Sequence, residues 1–105
     1  MSRVPNIDLT PNQWFIVREI LQKDVAQFTV WAFGSRANWT ASKYSDLDLV
    51  IMSETPLDLS LSAAVSDDFA ESDLPFKVDV LDWSTTDEDF RQIIEQNKVL
   101  LQEGK

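Results

Sequence analysis

Three short apolar runs limit how this chain can fold: Phe28-Thr29-Val30-Trp31-Ala32-Phe33, Leu47-Asp48-Leu49-Val50-Ile51-Met52 and Phe76-Lys77-Val78-Asp79-Val80-Leu81. Each is rich in β-branched or aromatic residues and too short for a stable helix, so each predicts a strand. Gly34 stops the first, and Ser53-Glu54-Thr55-Pro56 ends the second. Elsewhere the apolar residues recur at helical spacing. Thr10-Pro11-Asn12-Gln13 forms a capping box with proline at the first helical position. Trp14, Val17 and Leu21, with Ile16 and Ile20 beside them, carry a helix to about residue 24. Leu57, Leu61, Ala64, Val65 and Phe69 predict a second helix near residues 58–71. Thr85-Thr86-Asp87-Glu88 resembles another capping box. Phe90, Ile93, Ile94, Asn97 and Leu101 predict a last helix that Gly104 stops.

The order is α-β-β-α-β-α within 105 residues, with one helical turn between the first two strands. Strands joined by the short polar stretch 34–45 should be antiparallel neighbours. Those joined by a helix should be parallel. The expectation is a single domain, residues 1–105, of the α+β class: a small mixed sheet with three core strands packed against helices.

Composition narrows the chemistry. With no Cys and no His, the chain has no thiolate nucleophile, zinc–thiolate site, Ser-His-Asp triad or imidazole base. Any active site must use carboxylates, hydroxyls, Lys or Arg, backbone and borrowed metal. Met1 to Asn6 lack the apolar core of a signal peptide, and no apolar run approaches the ~20 residues of a membrane span. A cytoplasmic protein with no membrane contact is expected. The net charge of −9 argues against nucleic acid as a direct substrate. That charge is uneven. Residues 1–45 hold five bases and three acids, residues 46–105 four bases and fifteen acids, and the stretch from Glu54 to Asp73 six acids without a base. This acidic stretch suits a solvated surface or docking on a basic partner.

Asp46-Leu47-Asp48 opens the second strand. Side chains two apart on a strand share a face, so Leu47, Leu49 and Ile51 turn to the core and the two carboxylates turn the other way. Paired carboxylates repel unless a cation compensates them, and hard oxygen ligands suit Mg²⁺ or Mn²⁺. If the first two strands are antiparallel neighbours, Gly34-Ser35 meets this pair at one sheet edge. Glycine allows close backbone approach, Ser35 and the N–H groups after it can cradle phosphate, and Arg36 offers a forked donor. On the third strand Lys77 and Asp79 face the same way as Asp46 and Asp48. Asp79 is then a candidate metal ligand or base, and Asp82, one place out of phase, is a weaker one.

Gly34-Ser35, ten intervening residues, then Asp46-Leu47-Asp48 resembles the signature of the polymerase-β nucleotidyltransferase superfamily. The wider text, Val30 to Ala37, Tyr44 to Val50 and Ser72 to Trp83, is similar to its minimal nucleotidyltransferase branch. The resemblance implies that Gly34 and Ser35 hold the nucleotide phosphates. It also implies that Asp46, Asp48 and Asp79 bind divalent metal, two Mg²⁺ ions with Mn²⁺ as the alternative. It further implies a HEPN-domain toxin partner to which AMP from ATP is transferred at a tyrosine hydroxyl, with this chain as antitoxin. The competing expectation is a non-catalytic binding protein that masks the partner's active site. Homo-oligomerisation is left open. One departure stands out: Trp39 occupies a position where many relatives carry glycine, and a packing role is expected for it.

Overall fold

The computed structural model describes residues 4–105. Its elements run α1 (Pro11–Asp24), β1 (Val30–Phe33), α2 (Ser35–Asn38), β2 (Leu47–Ile51), α3 (Leu59–Ala70), β3 (Val78–Asp82), a 3₁₀ turn (Trp83–Thr85), α4 (Glu88–Gln96) and β4 (Val99–Gln102). The capping box of α1 forms as its sequence requires. The Thr10 hydroxyl accepts the Gln13 N–H at 3.1 Å, and Gln13 Oε1 accepts the Thr10 N–H at 3.0 Å.

The strands form one mixed sheet in the order β3-β2-β1-β4. β1 runs antiparallel to β2, with Phe33 opposite Asp48. β2 runs parallel to β3, with Asp48 opposite Asp79. One sheet face carries Val30, Ala32, Leu47, Leu49 and Ile51 against Trp14, Val17 and Leu21 of α1 and Val65 and Phe69 of α3. The other face is smaller: Phe33, Val50, Trp31 and Leu81 of the sheet pack against Ile94 and Phe90 of α4. Both faces of β1 are therefore covered, which accounts for its unbroken apolar run. Among the described residues no helix is long and apolar enough to cross a membrane.

The C-terminal segment departs from expectation. The last helix ends at Gln96 rather than continuing through Leu101. Asn97 leaves the helical region at φ −148°, and residues 99–102 form β4, antiparallel to β1. A short apolar run such as Val99-Leu100-Leu101 suits either state. What decides it is the open edge of β1, whose backbone groups need partners. The sheet consequently has four strands, while the α+β class stands. The cap of α4 also shifts. Thr85 lies in the 3₁₀ turn, and Asp87 is the residue whose side chain accepts from the Phe90 N–H, at 2.9 Å.

Candidate active site

The antiparallel pairing of β1 and β2 brings the end of one beside the start of the other. Gly34 follows β1 directly with φ +78°, a backbone state that side-chain-bearing residues avoid. A Cβ placed there would overlap Asp48 Oδ2 and lie 3.4 Å from Asp48 Cγ. Glycine is thus required for the turn, and a side chain there would also push the Asp48 carboxylate aside. Ser35 then opens α2, where the Ala37 and Asn38 N–H groups donate to Gly34 O at 3.1 and 3.0 Å and the Ser35 and Arg36 N–H groups are left without an acceptor among the described residues.

Asp48 and Asp79 are register partners on adjacent strands and share the face covered by α4. Asp46 lies just ahead of β2, exposed, and near enough to act on Asp48. Burial, then the charges of Asp79 and Asp46, push the Asp48 carboxyl up to about 6. Among the described residues no base forms an ion pair with any of the three. Nor do three acidic side chains close into a ready cation cage there. The expected convergence is therefore a close pair, Asp48 and Asp79, with Asp46 at its margin. Hard oxygen donors carrying uncompensated negative charge fit a divalent cation of the Mg²⁺ type.

Two residues are placed otherwise than expected. Arg36, expected to bind phosphate, is only 4% exposed and points into the fold. Its Nε donates to Ser45 O at 3.0 Å, Nη1 to Asp8 O at 2.9 Å and Nη2 to Lys43 O at 3.1 Å, and the guanidinium lies over the Phe76 ring. A fork spent on three carbonyls is not free for a ligand. Arg36 instead pins the loop between the glycine turn and Asp46. Trp39, expected to pack, is 56% exposed, and its indole N–H donates to Asn6 Oδ1 at 3.2 Å. It caps α2 in the left-handed region at φ 60°, which explains in physical terms why glycine suits this position.

Asp82, out of phase as expected, serves structure. Burial alone would raise its carboxyl. Hydrogen bonds from the Ser53 hydroxyl, the Leu57 N–H at 2.7 Å and Ser84 outweigh that and hold it below its ordinary value. Sequence reasoning missed the apolar wall beside the carboxylates. A cavity of about 330 Å³ is lined by Phe33, Asp48, Asp79, Val80, Leu81 and Phe90. Periodicity marked Phe90 as a core residue, but only the docking of α4 carries it to the carboxylates.

Carboxylates set against a glycine turn that leaves the Ser35 and Arg36 N–H groups without an acceptor among the described residues, on a small mixed sheet, suit phosphoryl chemistry. Residues 16–105 match the polymerase beta nucleotidyltransferase domain. A protein of Haemophilus influenzae (strain ATCC 51907 / DSM 11121 / KW20 / Rd), named "Probable protein adenylyltransferase MntA", is 50% identical over 103 residues, which cover 98% of this chain and 90% of that protein. A solved toxin–antitoxin structure with AMP-PNP superposes with a TM-score of 0.72 at 19% identity, over 88% of this chain and 74% of that one. A structure of tri-AMPylated Shewanella oneidensis HEPN toxin in complex with MNT antitoxin does so at 0.64 and 18% identity, over 86% and 69%. The chain belongs to the polymerase-β nucleotidyltransferase family, and it is an enzyme of the nucleotidyltransferase class.

Proposed function

We propose that this chain transfers AMP from ATP to a tyrosine hydroxyl of a HEPN-domain toxin and so acts as the antitoxin of that pair. The observation that carries the reading is the packing of Asp48 against Gly34, with Asp79 beside it in register. The name of the Haemophilus relative and the complexes formed by the solved neighbours support the partner and the nucleotide. In this reading the Gly34-Ser35 turn grips the β- and γ-phosphates through the Ser35 hydroxyl and the N–H groups of Ser35 and Arg36. Asp46, Asp48 and Asp79 would hold Mg²⁺, two ions with Mn²⁺ as the alternative, and the metal would neutralise triphosphate charge and acidify the attacking hydroxyl. Asp79 lies farthest from the turn and faces the acceptor, whose proton it takes. Arg36 keeps the loop that carries Asp46 in place. The acceptor oxygen attacks the α-phosphorus, and pyrophosphate leaves toward the turn.

Incubating the purified chain with ATP, Mg²⁺ and the HEPN-domain partner should add the mass of AMP to the partner. Asp48→Asn should slow this by at least ~10²-fold, as loss of other charge-stabilising groups does. Transfer at the parental rate in Asp48→Asn would overturn the assignment. Neutralisation of the toxin that survives substitution of both Asp46 and Asp48 would favour masking without chemistry.

A further inference from the structure

We infer that Tyr44 is itself a modification site: one copy of the chain transfers AMP to the Tyr44 hydroxyl of another. The inference rests on the nucleotidyl-transfer reading above and adds a second substrate, the chain itself, and the residue modified.

Transfer to a phenolic hydroxyl needs a tyrosine that is exposed, firmly presented and compatible in charge with the carboxylate edge. The chain has one tyrosine. Tyr44 stands in the loop between α2 and β2 and is 64% exposed. The loop is held on both sides of it. Arg36 donates to the Lys43 and Ser45 carbonyls, and the Ser42 N–H donates to the Ser45 hydroxyl at 2.9 Å. Presenting the ring to another molecule therefore costs little further ordering of the backbone.

Charge favours the encounter. The stretch from Val25 to Ser45 contains Arg36 and Lys43 and no acid. Lys43 Nζ lies 5.4 Å from the Tyr44 ring centroid. The receiving edge carries Asp46, Asp48 and Asp79, with no base paired to them among the described residues. A phenol that arrives with a cation beside it is steered to such an edge, whereas two acidic surfaces of the same chain repel.

Geometry makes the reaction intermolecular. Tyr44 lines a groove with Phe69 and Ala70 of α3 and with Pro75 and Phe76. α3 covers one face of the sheet, and Asp48 and Asp79 open on the other, beside Phe90 of α4. The Tyr44 side chain thus lies on the α3 side of the sheet edge, and the Arg36 bonds keep its loop from swinging round to its own carboxylates. A second copy meets neither obstacle. In the reaction the Tyr44 oxygen of one copy bonds to the α-phosphorus of ATP held by the other. The bond from that phosphorus to the bridging oxygen breaks, and pyrophosphate departs. The phenolic proton passes to Asp79 of the copy that holds ATP, and then to solvent.

The test incubates the purified full chain with ATP and Mg²⁺ and without partner, and reads intact mass and the modified peptide. The inference expects the mass of AMP on Tyr44. The rate per copy should rise about tenfold when the chain concentration rises tenfold, because the encounter is bimolecular. Tyr44→Phe should lose the label yet still transfer AMP to the HEPN-domain partner. In a mixture of Tyr44→Phe and Asp48→Asn, told apart by a mass tag, only the Asp48→Asn copy should be labelled. If thermal melting shows Asp48→Asn unfolded, Asp79→Asn takes its place. AMP on another residue, a rate per copy that ignores concentration, or an unlabelled mixture would each overturn the inference. A parent that adds AMP to neither Tyr44 nor the partner refutes the underlying reading. A parent that modifies the partner while Tyr44 stays bare refutes self-transfer alone.

Discussion

Asp24, at the end of α1, shows how one carboxyl can tie stability to pH. Its Oδ2 is buried without an ordinary donor, and it lies against Asp68 of α3, whose Oδ2 accepts from Lys23 Nζ at 3.2 Å. Burial, then the hydrogen bond and charge of Asp68, push the Asp24 carboxyl up from 3.8 to about 6. Hydrogen bonds to Asp24 and Lys23 hold Asp68 below its ordinary value. Because folded Asp24 keeps its proton to higher pH than the unfolded chain does, its contribution to stability falls as pH rises from 3.8 to about 6. The lowered Asp68 acts in the opposite sense, with stability lost as pH falls through its folded value. Asp24→Asn should therefore raise the melting temperature at about pH 7.5, with the gain shrinking towards about pH 4.5. Thermal melts of both proteins across that range check this. Trp39 offers a second test at this scale. With φ 60° and an exposed ring, Trp39→Gly should stabilise by roughly 1 kcal/mol, because glycine enters the left-handed region without steric cost. Urea unfolding of Trp39→Gly beside Trp39→Ala separates backbone relief from loss of the indole, since alanine removes the ring and keeps the steric cost.

Among the elements, the helices were legible where a cap and a periodic face agreed, as in α1 with Thr10 and Gln13. They were less legible where several capping residues stood in a row. Thr85, Thr86 and Asp87 all carry capping side chains, and the choice falls on Asp87 because Asp82 draws the preceding residues into a 3₁₀ turn. Asp87→Ala should cost about 1 kcal/mol in urea unfolding, whereas Thr85→Ala should stay within about 0.5 kcal/mol. The reverse ranking would restore Thr85 as the cap. The three strands around the site were legible from composition, and their pairing followed from the lengths of the connections. β4 was not, since Val99 to Leu101 satisfies a helical face as well as a strand.

At the scale of the molecule, a chain of net charge −9 keeps three carboxylates near one another without an ion-pairing base among the described residues. A divalent cation that binds the folded state alone should stabilise it. At tenfold excess over its Kd, Mg²⁺ should add about 1.4 kcal/mol to the parent. It should add little to a chain with Asp46, Asp48 and Asp79 all changed to Asn, as thermal melts with and without MgCl₂ would report. Patterning along the chain was enough for the α+β class, the antiparallel and parallel strand pairs, and the meeting of Gly34 with Asp48. These depend on local periodicity and on the lengths of neighbouring connections, which any sequence displays. The direction of Arg36, the strand that covers β1, and the wall that Phe33 and Phe90 build beside the carboxylates were decided only in three dimensions. Each brings together segments far apart in the chain: Arg36 reaches Asp8, β4 reaches β1, and α4 carries Phe90 to Phe33. Such choices turn on which buried carbonyls and sheet edges still lack partners once the rest has packed, and no local pattern records that.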